Sequence, residues 1–287
     1  MPHRATMHAP SFEIVRSLLL PAVLCSTGAS ALHASEEVPT TTVADLGTSI
    51  VHAVSAYDPT YIVAGISATS KARFQFGLKF HLLDGPESVP GDIAFFDNVY
   101  FSYAQTTLWD LSAKSIPVDD TSYRPAFFYL HDRLVERGDW GLGLRTGFEH
   151  ESNGKSGDDS RGITSLFLEP RLHFGTTGDW HVEVRPKAYV YVRKTANPDI
   201  ADYRGYADLQ LSVESTNGLL VSLVGRKGTE SGKGSAEFDA SYPLAKLIPM
   251  KNSFYLMAQY FYGYGETLIG YNERESGQVR IGFMLIR

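Results

Sequence analysis

The sequence predicts an all-β protein, an antiparallel transmembrane β-barrel of about twelve strands and of the outer-membrane type. Three observations predict it. Past its N-terminal region the chain of 287 residues has no apolar stretch approaching the ~20 residues that a membrane-spanning helix needs. Segments of about ten residues alternate between apolar and polar side chains throughout, and about twelve of them can be counted. Finally, 16 Tyr, 16 Phe and 26 Gly accompany a mean hydropathy of only -0.14, as expected where an apolar outer face is offset by a polar lumen.

The N-terminus reads as a secretory signal over residues 1-34. Arg4 and Arg16 supply positive charge, Leu18 to Cys25 an apolar stretch, and Ala29-Ser30-Ala31 small residues, with cleavage expected after Ala31 or Ala34. Ala22-Val23-Leu24 lacks the small residues expected before a lipidated cysteine, so Cys25 is assigned to the signal. It is the sole cysteine, so the mature chain has neither disulfides nor thiol chemistry. Residues 35-52 read as a periplasmic arm, and residues 53-287 as the barrel. The net charge of -6 argues against nucleic acid as a partner.

The alternating segments run near Tyr61-Ser67, Ala72-Leu82, Ala94-Leu111, Tyr123-Asp132, Leu142-Ser152, Thr164-Phe174, His181-Val192, Tyr206-Glu214, Leu219-Lys227, Ser235-Tyr242, Phe254-Tyr264 and Gln278-Ile286. An even number lets both ends of the barrel chain lie on one side. In the seventh, Val182, Val184, Pro186, Ala188, Val190 and Val192 share one face, while Glu183, Arg185, Lys187, Tyr189, Tyr191 and Arg193 share the other. The charged members are expected to form a luminal network, and Pro186, which cannot donate to a ladder, to mark a local irregularity. A soluble β-protein would turn the apolar stripes inward instead; heat-modifiable migration in detergent gels separates the two readings.

In the fifth segment Leu142, Leu144, Thr146, Phe148, His150 and Ser152 share the outward parity. A histidine and a serine thus stand side by side at the end of a surface otherwise suited to lipid. His150-Glu151-Ser152-Asn153-Gly154, followed by the basic Lys155 and then Ser160-Arg161, resembles the outer-membrane phospholipase A family. Further stretches carry the resemblance: Tyr57-Asp58-Pro59-Thr60-Tyr61, Ser102-Tyr103-Ala104-Gln105, Trp109-Asp110-Leu111-Ser112, Asn197-Pro198-Asp199-Ile200, Ser241-Tyr242-Pro243 and Gly263 to Ile269.

The resemblance implies a calcium-dependent outer-membrane enzyme that hydrolyses acyl esters of phospholipids and lysophospholipids (A1, A2 and lysophospholipase activities), active as a homodimer. Ser152 would be the nucleophile and His150 its general base. The family's orienting asparagine falls on Thr164, whose shorter hydroxyl can still accept the imidazole Nδ1 proton. The implied calcium ligands are oxygens of Lys155 and Ser160, with Ser115, or Ile116 if the alignment slips, from the second subunit. A further aspartate ligand of the family falls on Ala196, while Asp158 and Asp159 are expected to solvate the extracellular loop, their other reading being outer ligands of the calcium. Gln105, on the outward parity with Val99, Phe101, Tyr103 and Trp109, matches a family dimer contact; hydration near the headgroups is its other reading. His173 and His181 are expected to line turns or the lumen. The change at position 164 leaves an alternative open, a barrel without catalysis that acts as a structural protein or narrow pore.

Overall fold

The computed structural model describes residues 54-66, 71-82, 96-115, 118-175, 178-249 and 254-287. The expected signal and arm, and position 116, lie outside the described residues. The strands are β1 (Val54–Ala56), β2 (Thr60–Gly65), β3 (Lys71–His81), β4 (Val99–Asp110), β5 (Val118–Arg137), β6 (Trp140–Ser152), β7 (Gly162–Phe174), β8 (Trp180–Arg193), β9 (Ala207–Ser215), β10 (Leu220–Lys227), β11 (Gly234–Pro243), β12 (Tyr255–Tyr264) and β13 (Arg274–Ile286). Each strand from β2 to β13 pairs antiparallel with its chain neighbours, and β13 pairs with β2, closing a barrel of twelve strands. Closure removes the free edges that lipid could not satisfy. The short β1 pairs only with β3 and is the lower half of the first barrel strand, interrupted at Asp58, which has φ 61°.

Expected and observed strands agree except at their ends. The fourth strand, β5, extends to 20 residues because it runs past the expected Tyr123-Asp132 at both ends, pairing Val118 to Ser122 with β4 and Val135 to Arg137 with β6. Alternation follows the predicted direction. Phe127, Phe148, Leu166, Leu168, Val190, Leu209 and Ile281 are exposed on the outside, where lipid would cover them. Sequence neighbours of the first six line a luminal cavity of about 590 Å³.

That cavity is polar and cross-braced. Charges inside a membrane protein cost several kcal/mol each unless paired, and here they pair between distant segments. Arg280 bonds Glu266 at 2.6 Å, Arg204 bonds Glu151 at 2.9 Å, Arg226 bonds Asp208 at 3.0 Å, Lys187 bonds Glu149 at 3.1 Å and Arg145 bonds Glu169 at 3.2 Å. At the other end of the barrel Glu183 receives Arg171 and Arg185, and His173 stacks on His181. A roof of Ile163, Ile200, Leu268 and Tyr271 covers the end that carries the β6–β7 loop. It is organised by the short helix α1 (Ile200–Arg204). Burial and the Asp199 carboxylate that it contacts push the Tyr271 hydroxyl up to about 12, so it stays protonated and donates to Asp199.

Two local irregularities mark β8. Its ladder with β7 lapses between the pairs Leu168–Ala188 and Leu172–Val184, where Pro170 and Pro186 occupy corresponding positions and neither can donate. The register is unchanged across the gap, so Pro186 removes bonds without shifting the strand. Nearer the roof the register does shift: Thr164 pairs with Arg193 but Ser165 with Tyr191, leaving Val192 as an extra residue. This β-bulge sets both Val192 and Arg193 opposite Thr164. The expectation of a luminal Arg193 is therefore corrected. Glu183, Arg185 and Lys187 do line the lumen, whereas Arg193 is exposed on the outer parity, because the alternation on which that expectation rested breaks one residue earlier.

Candidate active site

The β6–β7 register pairs His150 with Thr164 and Ser152 with Gly162. Directly opposed residues of an antiparallel pair share a face, so His150, Ser152 and Thr164 all point outward at the rim. His150 Nδ1 lies 2.9 Å from Thr164 Oγ1. Thr164 is only 8% exposed, so its hydroxyl is held in a packed setting and does not sweep through water. Ser152 is half-buried and forms no hydrogen bond with His150 among the described residues. The His150 ring is thus oriented, while no bond joins it to Ser152, an open geometry common in sites where a bound substrate tightens such bonds.

β5 completes the outer face. Tyr123 pairs with Ser152 on one side and with Gln105 of β4 on the other. The Gln105 amide receives Tyr103 Oη at 3.1 Å and donates to Thr107 Oγ1 at 3.4 Å, and Thr107 Oγ1 lies 3.1 Å from Thr121 Oγ1. An outward polar ladder therefore satisfies part of the amide, one reason that it is tolerated at this face.

The loop after Ser152 is shaped by Asn153, which is buried. Its Oδ1 accepts Arg161 N at 2.9 Å and Lys155 N at 3.3 Å, and its Nδ2 donates to Asp159 O at 2.9 Å. From the luminal side Glu151 anchors the same stretch. It accepts Ser122 Oγ at 2.6 Å and Arg204 Nη1 at 2.9 Å, while Arg204 Nη2 reaches Gly265 O at 2.8 Å. Asn197, wholly buried, accepts the Gly162 N–H at 3.0 Å and so fixes the start of β7. At the end of β6, Glu151 thus ties the strand inward to α1 while His150 and Ser152 face outward.

The positions implicated in calcium are unevenly placed. Lys155 Nζ donates to Asp119 O at 3.1 Å and lies 3.8 Å from Asp120 Oδ1, which turns the side chain away from its own carbonyl. The Ser160 carbonyl accepts Arg161 Nη1 at 2.9 Å on one lone pair and keeps the other. Ser115 has φ 70° on the exposed rim after β4, with no hydrogen bond to the Lys155–Ser160 loop among the described residues. Asp158 and Asp159 are exposed, and their backbone carbonyls serve Arg161 and Asn153. Ala196 is exposed and offers no side-chain oxygen. Neutral oxygens are the donors a hard cation takes, and Lys155 and Ser160 carry three of them on this loop.

Sequence reasoning overlooked Tyr123, Asn153, Asn197 and the Glu151–Arg204 pair. Tyr123 carries the outward parity of its strand, but its place beside Ser152 depends on a register that parity does not define. Glu151 lies within the motif yet on the luminal parity, and its partner is 53 residues away.

Comparison with known proteins adds to this geometry. The family model described as Phospholipase A1 matches residues 48–285. The chain is 34% identical to the phospholipase A1 of Escherichia coli strain K12 over 239 residues, 81% of this chain and 74% of the relative. Outer membrane phospholipase A from Escherichia coli superimposes with a TM-score of 0.66 at 28% identity, covering 81% of this chain and 91% of that one. A Salmonella typhi outer membrane phospholipase, solved as a dimer with bound calcium, gives the same TM-score and identity, with 81% and 92% covered.

Proposed function

The chain belongs to the phospholipase A1 family and is an outer-membrane β-barrel phospholipase; from that premise we propose that it cleaves acyl esters of phospholipids and lysophospholipids with a Ser152–His150–Thr164 triad. The observation that carries this reading is the His150–Thr164 hydrogen bond of 2.9 Å on a lipid-facing surface, two residues along the strand from Ser152. Few other reasons exist to place an oriented imidazole beside a hydroxyl where lipid should lie.

In this mechanism Ser152 Oγ attacks the ester carbonyl carbon as His150 Nε2 takes its proton. Nδ1–H donates to Thr164 Oγ1, which fixes the tautomer and the ring plane. The carbonyl–oxygen double bond re-forms as the lysolipid alcohol leaves with the proton from Nε2. Water, deprotonated by the same nitrogen, then releases the fatty acid from Ser152. Thr164 is neutral, so it orients the imidazolium without the charge compensation that a carboxylate would give.

Calcium would be held by the Lys155 carbonyl and the Ser160 carbonyl and hydroxyl, with Ser115 of a second copy adding a further oxygen and water the rest of the roughly six to eight that calcium takes. When bound, it would supply positive charge for the oxyanion. A homodimer follows from that shared shell, with Gln105 at the contact. This reading is supported by the neutral oxygens that Lys155 and Ser160 bring to one loop beside Ser152 and by the calcium-bound dimer of the Salmonella relative. The pore alternative has less support, because the ion pairs across the lumen and the apolar roof obstruct a continuous channel.

Fatty-acid release from phospholipid in mixed micelles, with calcium or a chelator, tests the proposal. Calcium-dependent release that Ser152→Ala removes is expected. Release unaffected by Ser152→Ala would overturn the triad.

A further inference from the structure

His150, Thr164 and Arg193 lie on one rung of the barrel, in successive strands β6, β7 and β8, all on the outer parity. Arg193 reaches that face only through the bulge at Val192. An ordinary continuation of β8 would have turned it into the lumen, where Arg145, Arg204, Arg226 and Arg280 each meet a carboxylate. On the outer face Arg193 is exposed and has no ion-pair or hydrogen-bond partner among the described residues. Its neighbour Lys194 is tied to the Pro198 carbonyl. An unpartnered guanidinium at the end of a membrane strand, beside a serine–histidine pair, calls for an anion at headgroup depth.

We infer that Arg193 binds the phosphate of the phospholipid being cleaved and so makes the enzyme prefer phosphate-bearing esters. This rests on the proposed function above. Adjacent strands are about 4.8 Å apart, so the Arg193 backbone sits about 10 Å from that of β6, and an extended arginine side chain covers most of the gap. In a glycerophospholipid only the glycerol carbons separate the phosphate from either ester. A substrate whose ester carbonyl faces Ser152 therefore brings its phosphate toward Arg193. The guanidinium can donate two parallel hydrogen bonds to phosphate oxygens. Below the same rung an apolar groove of about 490 Å³ is lined by Leu166, Leu168, Ala188, Val190 and Tyr206. Leu166 and Leu168 continue the outward stripe of Thr164, so an acyl chain lying there leaves its headgroup end level with Arg193.

The test compares two substrates in neutral detergent micelles, a diacyl glycerophospholipid and an uncharged monoacylglycerol. The full-length protein is compared with Arg193→Ala and Arg193→Lys, after heat-modifiable migration has shown that each variant is folded. Arg193→Ala is expected to raise KM for the phospholipid about tenfold, with kcat changed less than twofold, and to leave KM for the monoacylglycerol within twofold. Arg193→Lys should recover part of the loss, since it keeps the charge without the fork. A non-hydrolysable dialkyl ether phospholipid should inhibit monoacylglycerol hydrolysis competitively, and less so in Arg193→Ala. If the ether lipid instead stimulates turnover through Arg193, the arginine binds bystander lipid and the inference is overturned. It is also overturned, with the proposed function intact, if both substrates suffer equally or neither is affected. A wild-type protein that cleaves neither ester overturns the proposed function and this inference together.

Discussion

His150 and Thr164 are joined Nδ1 to Oγ1 at 2.9 Å because the β6–β7 register sets them directly opposite one another. Opposed side chains in an antiparallel pair bring their Cβ atoms to about 5 Å, a span that a threonine hydroxyl and an imidazole can close. Thr164 thus needs no longer side chain to reach His150.

Thr164→Val keeps the shape and removes the acceptor. It should lower kcat roughly 10- to 100-fold, with KM little changed, since the interaction serves the transition state. Thr164→Asn restores an acceptor and should remain within about tenfold of wild type. Steady-state kinetics on micellar phospholipid decide this, and a Thr164→Val enzyme of full activity would remove Thr164 from the triad.

His150→Ala and Ser152→Ala should each reduce hydrolysis to background, and the double variant should be no worse than either, because members of such a unit act together. Both should retain heat-modifiable migration, since neither residue braces the barrel. Additive losses would show that the two side chains act separately.

Glu151→Ala leaves Arg204 without its carboxylate in a site where both side chains are largely buried. Removing one partner of a buried pair typically costs about 3–5 kcal/mol; with luminal water nearby, about 2–3 kcal/mol is expected here. The denaturant midpoint should fall and activity should fall with it, because the same strand segment carries His150 and Ser152. A variant with normal stability and impaired turnover would instead point to a direct catalytic role for Glu151.

Gly154→Ala and Gly157→Ala make a matched pair. Both glycines have left-handed φ, 68° and 64°, so each alanine carries backbone strain of about 1 kcal/mol. At Gly154 the added Cβ would also sit 2.8 Å from the ring of Tyr123, the neighbour of Ser152, whereas at Gly157 it meets nothing within 4 Å. Gly154→Ala should therefore reduce activity several-fold more than Gly157→Ala. Equal effects in the kinetic assay would show that Tyr123 does not influence the nucleophile.

Calcium should raise both activity and cross-linked dimer in detergent, and Ser160→Ala should shift the titration to higher calcium by removing a hydroxyl ligand. A cation shared between copies favours the paired state by mass action. Identical titrations for wild type and Ser160→Ala would remove Ser160 from the site.

By itself the sequence determined the barrel and the face on which the motif lies. Alternation with period two is a local property: each residue's parity follows from its neighbour's, so the outward set Phe148, His150, Ser152 and the luminal set Arg145, Glu149, Glu151 can be read without knowing any partner. The same locality explains where that reading failed. Tertiary structure decided how the strands slide against one another, and hence that Tyr123 borders Ser152, that Thr164 meets His150 at bonding distance and that Arg204 anchors Glu151 from 53 residues away. It also decided the bulge at Val192. One extra residue there leaves no mark in the composition or the alternation, because the strand ends before a second period could reveal the slip, yet it transfers Arg193 from the lumen to the lipid face. Register and bulges arise from pairing between distant segments, and only the closed barrel sets them.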